Sequence, residues 1–137
     1  MRNYIYVLCA ALTVGATVLM AQSPQKPGKW QMTIEMTMPG MPMKIPPITT
    51  DVCLTEKDLA DPKKAVPVDP KSDCTVSDYK VKGKTTSWSL SCPKQQMTGT
   101  GEITYAGDTY TGAMKMKMGE QEMNSKYSGK WLGACTK

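Results

Sequence analysis

The sequence predicts an all-β fold: a single curled antiparallel sheet or partly open barrel of about seven strands, with one short helix and two disulfides. Three observations predict it. Apolar and polar residues alternate from Trp30 to Met38 (W-Q-M-T-I-E-M-T-M) and again from Met114 to Met118 (M-K-M-K-M). That is the period of a strand with one buried face. Glycine-centred turn signals recur between such runs, at Gly40, Gly83, Gly107 and Gly119. Cys53, Cys74, Cys92 and Cys135 form an even set in a chain expected to be exported, which reads as two bridges.

Export is read from the first residues. Met1-Arg2-Asn3 is a short positive start, Tyr4 to Met20 is almost continuously apolar, and Ala21 is a small residue at a plausible cleavage point. Residues 1–21 are therefore expected to be a signal peptide, residues 22–27 a polar linker, and residues 28–137 one β domain. The whole chain carries a net charge of +5. That balance is too mild to imply nucleic acid. The expected location is periplasmic or secreted, with no membrane span once the signal is removed.

Each element follows in order. Lys29 to Met38 reads as a first strand with Trp30, Met32, Ile34, Met36 and Met38 on one face. Pro39-Gly40 is a turn signal, because proline presets φ and glycine accepts positive φ. Folding back there sets Met38 against Met41, Met36 against Met43 and Ile34 against Ile45. Pro42, Pro46 and Pro47 make the second strand an edge strand. Thr55 to Ala60 is the helix candidate, with Thr55 as its cap and Asp58 near its positive end. Asp61-Pro62 interrupts it, and Lys63 to Asp73 is an extended connector.

Strands on either side of Gly83 form the next hairpin. Centring it on Gly83 places Cys74 directly opposite Cys92, within the adjustment a disulfide needs. That pairing leaves Cys53 for Cys135, and each link is worth about 3–5 kcal/mol through the unfolded chain. Met97–Ala106 and Thr109–Met118 meet at Gly107-Asp108. A last strand from Met123 to Trp131 returns through G-E-Q-E. It sets Lys115 opposite Lys126, with Lys117 and Lys130 on the same outer face. The second bridge then dictates the strand order 3-4-5-6-7-1-2. It brings the tips of the first and last hairpins to one pole, and the helix covers the open side of the curl.

P-G-K-W near residue 30, M-P-G-M-P-M-K-I-P-P, V-C-L-T and C-T-V-S-D-Y-K-V-K-G carry a resemblance, together with M-T-G-T-G-E-I-T-Y-A-G-D-T-Y-T-G-A-M-K-M-K-M and the terminal Y-S-G-K-W-L-G-A-C. Over about residues 27–135 the chain resembles a bacterial family, the domain of unknown function numbered 3617. The resemblance implies a small exported protein of Gram-negative type and implies no activity. Gly28-Lys29-Trp30 also resembles the G-x-W of lipocalin first strands, over three residues in a shorter chain.

The chain holds no histidine and no phenylalanine. Without histidine there is no Ser-His-Asp or Cys-His system and no imidazole metal site. No G-x-S-x-G and no glycine-rich phosphate loop occurs. A non-enzymatic protein without a resident cofactor is expected. Ten of the twelve methionines lie beyond the signal. Burial in a core that lacks phenylalanine accounts for most of them. Two binding readings remain. In the first, Trp30, Met36, Met38, Met116, Met118 and Met123 line an adaptable surface for an apolar ligand or an envelope component. In the alternative, Met36, Met38, Met41 and Met43 hold Cu(I) or Ag(I), ions suited to soft thioethers. Peptide mapping of the oxidised protein without reduction should recover Cys74 linked to Cys92 and Cys53 to Cys135. Any other partner for Cys74 would sink the hairpin register.

Overall fold

Alternation in the sequence becomes a sheet with one buried and one wet face. A computed structural model describes residues 23–42, 45–69 and 71–136; the expected signal peptide lies outside them. The strands are β1 Gly28–Thr37, β2 Ile48–Leu54, β3 Thr75–Lys82, β4 Thr85–Cys92, β5 Met97–Ala106, β6 Thr109–Met118 and β7 Gln121–Gly133. They form one antiparallel seven-stranded sheet in the order β2-β1-β7-β6-β5-β4-β3, the expected order. The sheet is unclosed, and its two edge strands are joined by the connector that follows β2. Both expected disulfides form: Cys53 with Cys135 at a Cα separation of 5.7 Å, and Cys74 with Cys92 at 4.1 Å.

The concave face is a set of rows in which large side chains oppose small ones. One row reads Met32, Gly129, Tyr110, Tyr105 across β1, β7, β6 and β5. The next reads Ile34, Tyr127, Gly112, Ile103, Thr86, and the third Met36, Ser125, Met114, Gly101, Trp88. The glycines are needed because their neighbours lie across them. A methyl group at Gly129 would overlap the Tyr110 ring, and one at Gly101 would come within 2.5 Å of the Trp88 indole. Large rings can then lie flat over adjacent strands, and the core closes around Trp30, Trp88, Ile103, Tyr105, Tyr110 and Met114. Trp30 packs 5.3 Å from Tyr110 between ring centroids, and Tyr110 lies 5.6 Å from Tyr105, distances at which tilted aromatic pairs attract.

Several expectations are corrected. The Met38–Met41 turn is present, closed by a hydrogen bond from the Met41 amide to the Met38 carbonyl (3.2 Å), with Gly40 at φ 88°. The second strand, however, begins only at Ile48, and Ile34 faces Ile48 instead of Ile45. The odd shift turns Val52 and Leu54 onto the concave side with Trp30 and Met32. Pro42, Pro46 and Pro47 fall outside the ladder, where a missing N–H costs nothing. The last hairpin turns through Gly119-Glu120 alone, so Lys115 faces Asn124 instead of Lys126. Lys117 gains Glu122 as an ion-pair partner at 3.3 Å. In the β3–β4 hairpin the loop is Gly83-Lys84. A bulge between Ser77 and Lys80, with Asp78 at φ 50°, restores the register that brings Cys74 and Cys92 together.

The connector holds two short helices instead of one, α1 Glu56–Leu59 and α2 Pro62–Ala65. Pro62 does stop α1, but as the first residue of α2 it has no N–H to lose. Asp61 caps that second start by accepting from the Lys63 amide at 3.0 Å.

Gly129→Ala and Gly101→Ala should each lower stability by about 1–3 kcal/mol through overpacking, read as a lower urea midpoint. Ala113→Ser on the outer face should leave the midpoint unchanged. Adding Trp88→Leu to Gly101→Ala should cost less than the two changes separately. Additive losses would show that the ring and the glycine do not depend on each other.

Candidate functional site

The connector has to cross the open side of the curl, and its local chemistry makes it a stiff strap. Thr55 and Asp58 form a reciprocal cap at the start of α1. The Asp58 amide donates to Thr55 Oγ1 (3.2 Å), while the Thr55 amide and hydroxyl donate to Asp58 Oδ2 at 3.1 and 2.7 Å. Lys64 Nζ reaches Asp58 Oδ1 at 3.1 Å and ties α2 to α1. Hydrogen bonds from Thr55, with the Lys64 ammonium added, hold the Asp58 carboxyl down at about 2. Ala65, the last residue of α2, and Val66 after it are buried, and Val66 joins the core.

Between strap and sheet lies a cavity of about 660 Å³. Its floor is the concave face: Met32 and Ile34 of β1, Val52 and Leu54 of β2, Ile103 and Tyr105 of β5, and Tyr110 of β6. Its roof is Ala65, Val66, Pro67 and Val68, and the charged groups on its wall are Asp58, Lys64 and Asp69. Burial pushes the Tyr105 and Tyr127 hydroxyls up and carries Tyr110 to about 12. The phenols on the floor are therefore neutral at ordinary pH.

Gln25 brings an amide to this wall. Residues 23–27, expected to be a linker, are instead tied down. Trp30 Nε1 donates to the Lys26 carbonyl (2.9 Å) and Trp131 Nε1 to the Pro27 carbonyl (3.1 Å). Lys26 pairs with Asp108, and its ammonium stands 4.1 Å from the Trp131 ring centre. Gln25, only 7% exposed, accepts a hydrogen bond from Tyr105 Oη at 3.1 Å. A partial signal for this was present in the sequence: two tryptophans near the chain ends each carry an N–H that needs an acceptor when buried.

The residues expected to bind an apolar ligand lie elsewhere. Trp30 is fully buried and closes the core. Met36 is half-buried at the level of Ser125, and Met116 stands opposite Met123. Met118 is 46% exposed. None of the six lines the cavity under the strap. The two hairpin tips do share a pole. Met38 and Met41 form a small cleft of about 240 Å³ with Glu120, Gln121 and Glu122. Of the four thioethers considered for Cu(I), Met36 belongs to the concave face, Met38 and Met41 flank the turn, and Met43 lies outside the described residues. Among the described residues no three His, Cys, Asp or Glu side chains converge as metal ligands.

Residues 25–135 match the family described as Protein of unknown function (DUF3617). The chain belongs to this family. The match spans the whole sheet, both disulfides and the strap, so the cavity lies within the family domain. No curated protein and no solved structure shows a significant match to the chain. No helix among the described residues is long and apolar enough to cross a membrane.

Asp58 sets a pH dependence for the strap. Its folded pKa, about 2, lies below the ordinary 3.8. Its contribution is therefore present above about pH 4 and is lost as pH falls toward 2. Amide exchange at Leu59 and Ala65 should accelerate across that window before the sheet opens. Asp58→Asn should remove the step. Unchanged protection of these amides at pH 2 would show that the cap does not hold the strap.

Proposed function

We propose that this domain is an exported, non-catalytic binding protein that holds an apolar small molecule between the concave sheet face and the α1–α2 strap. The observation that carries the reading is the cavity itself. Its volume of about 660 Å³ lies within the roughly 300–1,000 Å³ usual for small-molecule sites. Its lining is mostly aliphatic, with a few polar groups on the wall, as such sites require. The Asp58 and Lys64 charges neutralise each other across the strap, which leaves no opposed acid and base aimed at the interior for proton transfer. The two disulfides suit a protein that works outside the cytoplasm. The family match supplies a domain and no activity, so the reading rests on the cavity.

Fluorescence titration with N-phenyl-1-naphthylamine, a neutral apolar probe, tests it. The folded protein should bind the probe. Ile103→Trp or Leu54→Trp, each filling the cavity from the floor, should weaken binding by about tenfold or more, equivalent to about 1.4 kcal/mol. Met116→Leu with Met123→Leu should leave it unchanged, because that pair lies outside the cavity. A folded wild-type protein that ignores the probe would overturn the reading, as would loss of binding confined to the methionine variant.

A further inference from the structure

Buried polar groups in an apolar wall are costly unless each finds a partner. The Gln25–Tyr105 pair uses only part of its own capacity. The Tyr105 hydroxyl hydrogen goes to Gln25 Oε1 at 3.1 Å, and both residues line the cavity. The amide nitrogen of Gln25 carries two further hydrogens that no described residue accepts, and it is not sealed from solvent, so it is free to donate into the cavity. Tyr110 also lines the cavity, and its hydroxyl, which no described residue accepts from, is likewise not sealed from solvent. The anchored Lys26 and Pro27 hold Gln25 in place, so its orientation is set before any ligand arrives.

Resting on the cavity reading above, we propose that the ligand carries a neutral carbonyl oxygen. The Gln25 amide, aimed by Tyr105, receives that oxygen, and the apolar body of the ligand fills the space under Val66 and Val68. A carboxylate fits less well, since the cation on the cavity wall, Lys64, is already bound to Asp58 and a desolvated anion would lack a counter-charge. A hydrocarbon would leave the amide unpaired, and a site built to donate discriminates against such a molecule. Gln25 is a recognition residue here, and Tyr105 is a positioning residue that acts through it.

Three probes of nearly equal shape test this: 2-acetylnaphthalene, its isostere 2-isopropenylnaphthalene, and 2-naphthoate. In the wild-type protein the preference for acetyl over isopropenyl should exceed that of Gln25→Leu by roughly five- to tenfold. Tyr105→Phe should give an intermediate preference with unchanged isopropenyl affinity. The infrared carbonyl stretch of bound 2-acetylnaphthalene should move to lower frequency in the wild type and return in Gln25→Leu, a readout that a purely structural role would not shift. Equal preference in wild type and Gln25→Leu overturns the proposal while leaving the cavity intact. Tightest binding of 2-naphthoate would overturn it in favour of an anion site. Failure of all three probes to bind the wild type would remove the cavity reading along with it.

Discussion

The sheet depends on glycines set opposite rings. Gly129 beneath Tyr110 and Gly101 beneath Trp88 let two large aromatic side chains lie across neighbouring strands. A Cβ at either position would overlap the ring, so the ring or the backbone would have to shift. Gly112 plays the same part for Ile103, with a neighbouring backbone carbonyl 2.5 Å from where a Cβ would sit. The curl makes one face concave. A concave face with flat-lying rings can bury a core without phenylalanine and still leave space at one end.

That space remains because of what covers it. The strap must link edge strands on opposite sides of the sheet, so it crosses the open side whatever its sequence. Its own capping keeps it stiff: Thr55 with Asp58, Asp61 with Lys63, and Lys64 back to Asp58. Only Ala65 and Val66 are buried from its helical part and the residue after it. A strap held by its own hydrogen bonds, whose Val66 and Val68 pack against the core, roofs the cavity without filling it. The bridge from Cys53 to Cys135 ties the end of β2 beside this cavity to the chain's C-terminal segment.

Much of the fold was legible in residue patterns. Strands β5 and β6 and their Gly107-Asp108 turn follow from strict alternation, and the strand order follows from the cysteines. The registers that were missed have local causes. Prolines after Gly40 cannot donate to a ladder, so pairing waits until Ile48 and slips by an odd number of residues. At Gly119 a two-residue turn closes the hairpin, with Gly119 at φ 61° as such a turn needs, and it sets Lys117 against Glu122. The bulge at Asp78 left no mark in the alternation, yet it compensates the turn position and keeps Cys74 opposite Cys92.

The methionine pattern drew attention to the hairpin tips, whereas the cavity under the strap lies elsewhere on the sheet. Thioethers at period two report burial, and most of these serve the concave face. The cavity wall combines Gln25 from beyond the domain's expected edge, aliphatic residues from three strands, and a strap whose burial depends on crossing the curl. Residues so far apart in the chain share no spacing that a linear pattern could reveal. The sequence by itself determined the strands, their order and the two bridges, because period-two burial and cysteine pairing are local or pairwise constraints. Only the tertiary structure decided where empty space remains, because that depends on how far the glycine-backed rings curl the sheet and how closely the strap approaches it.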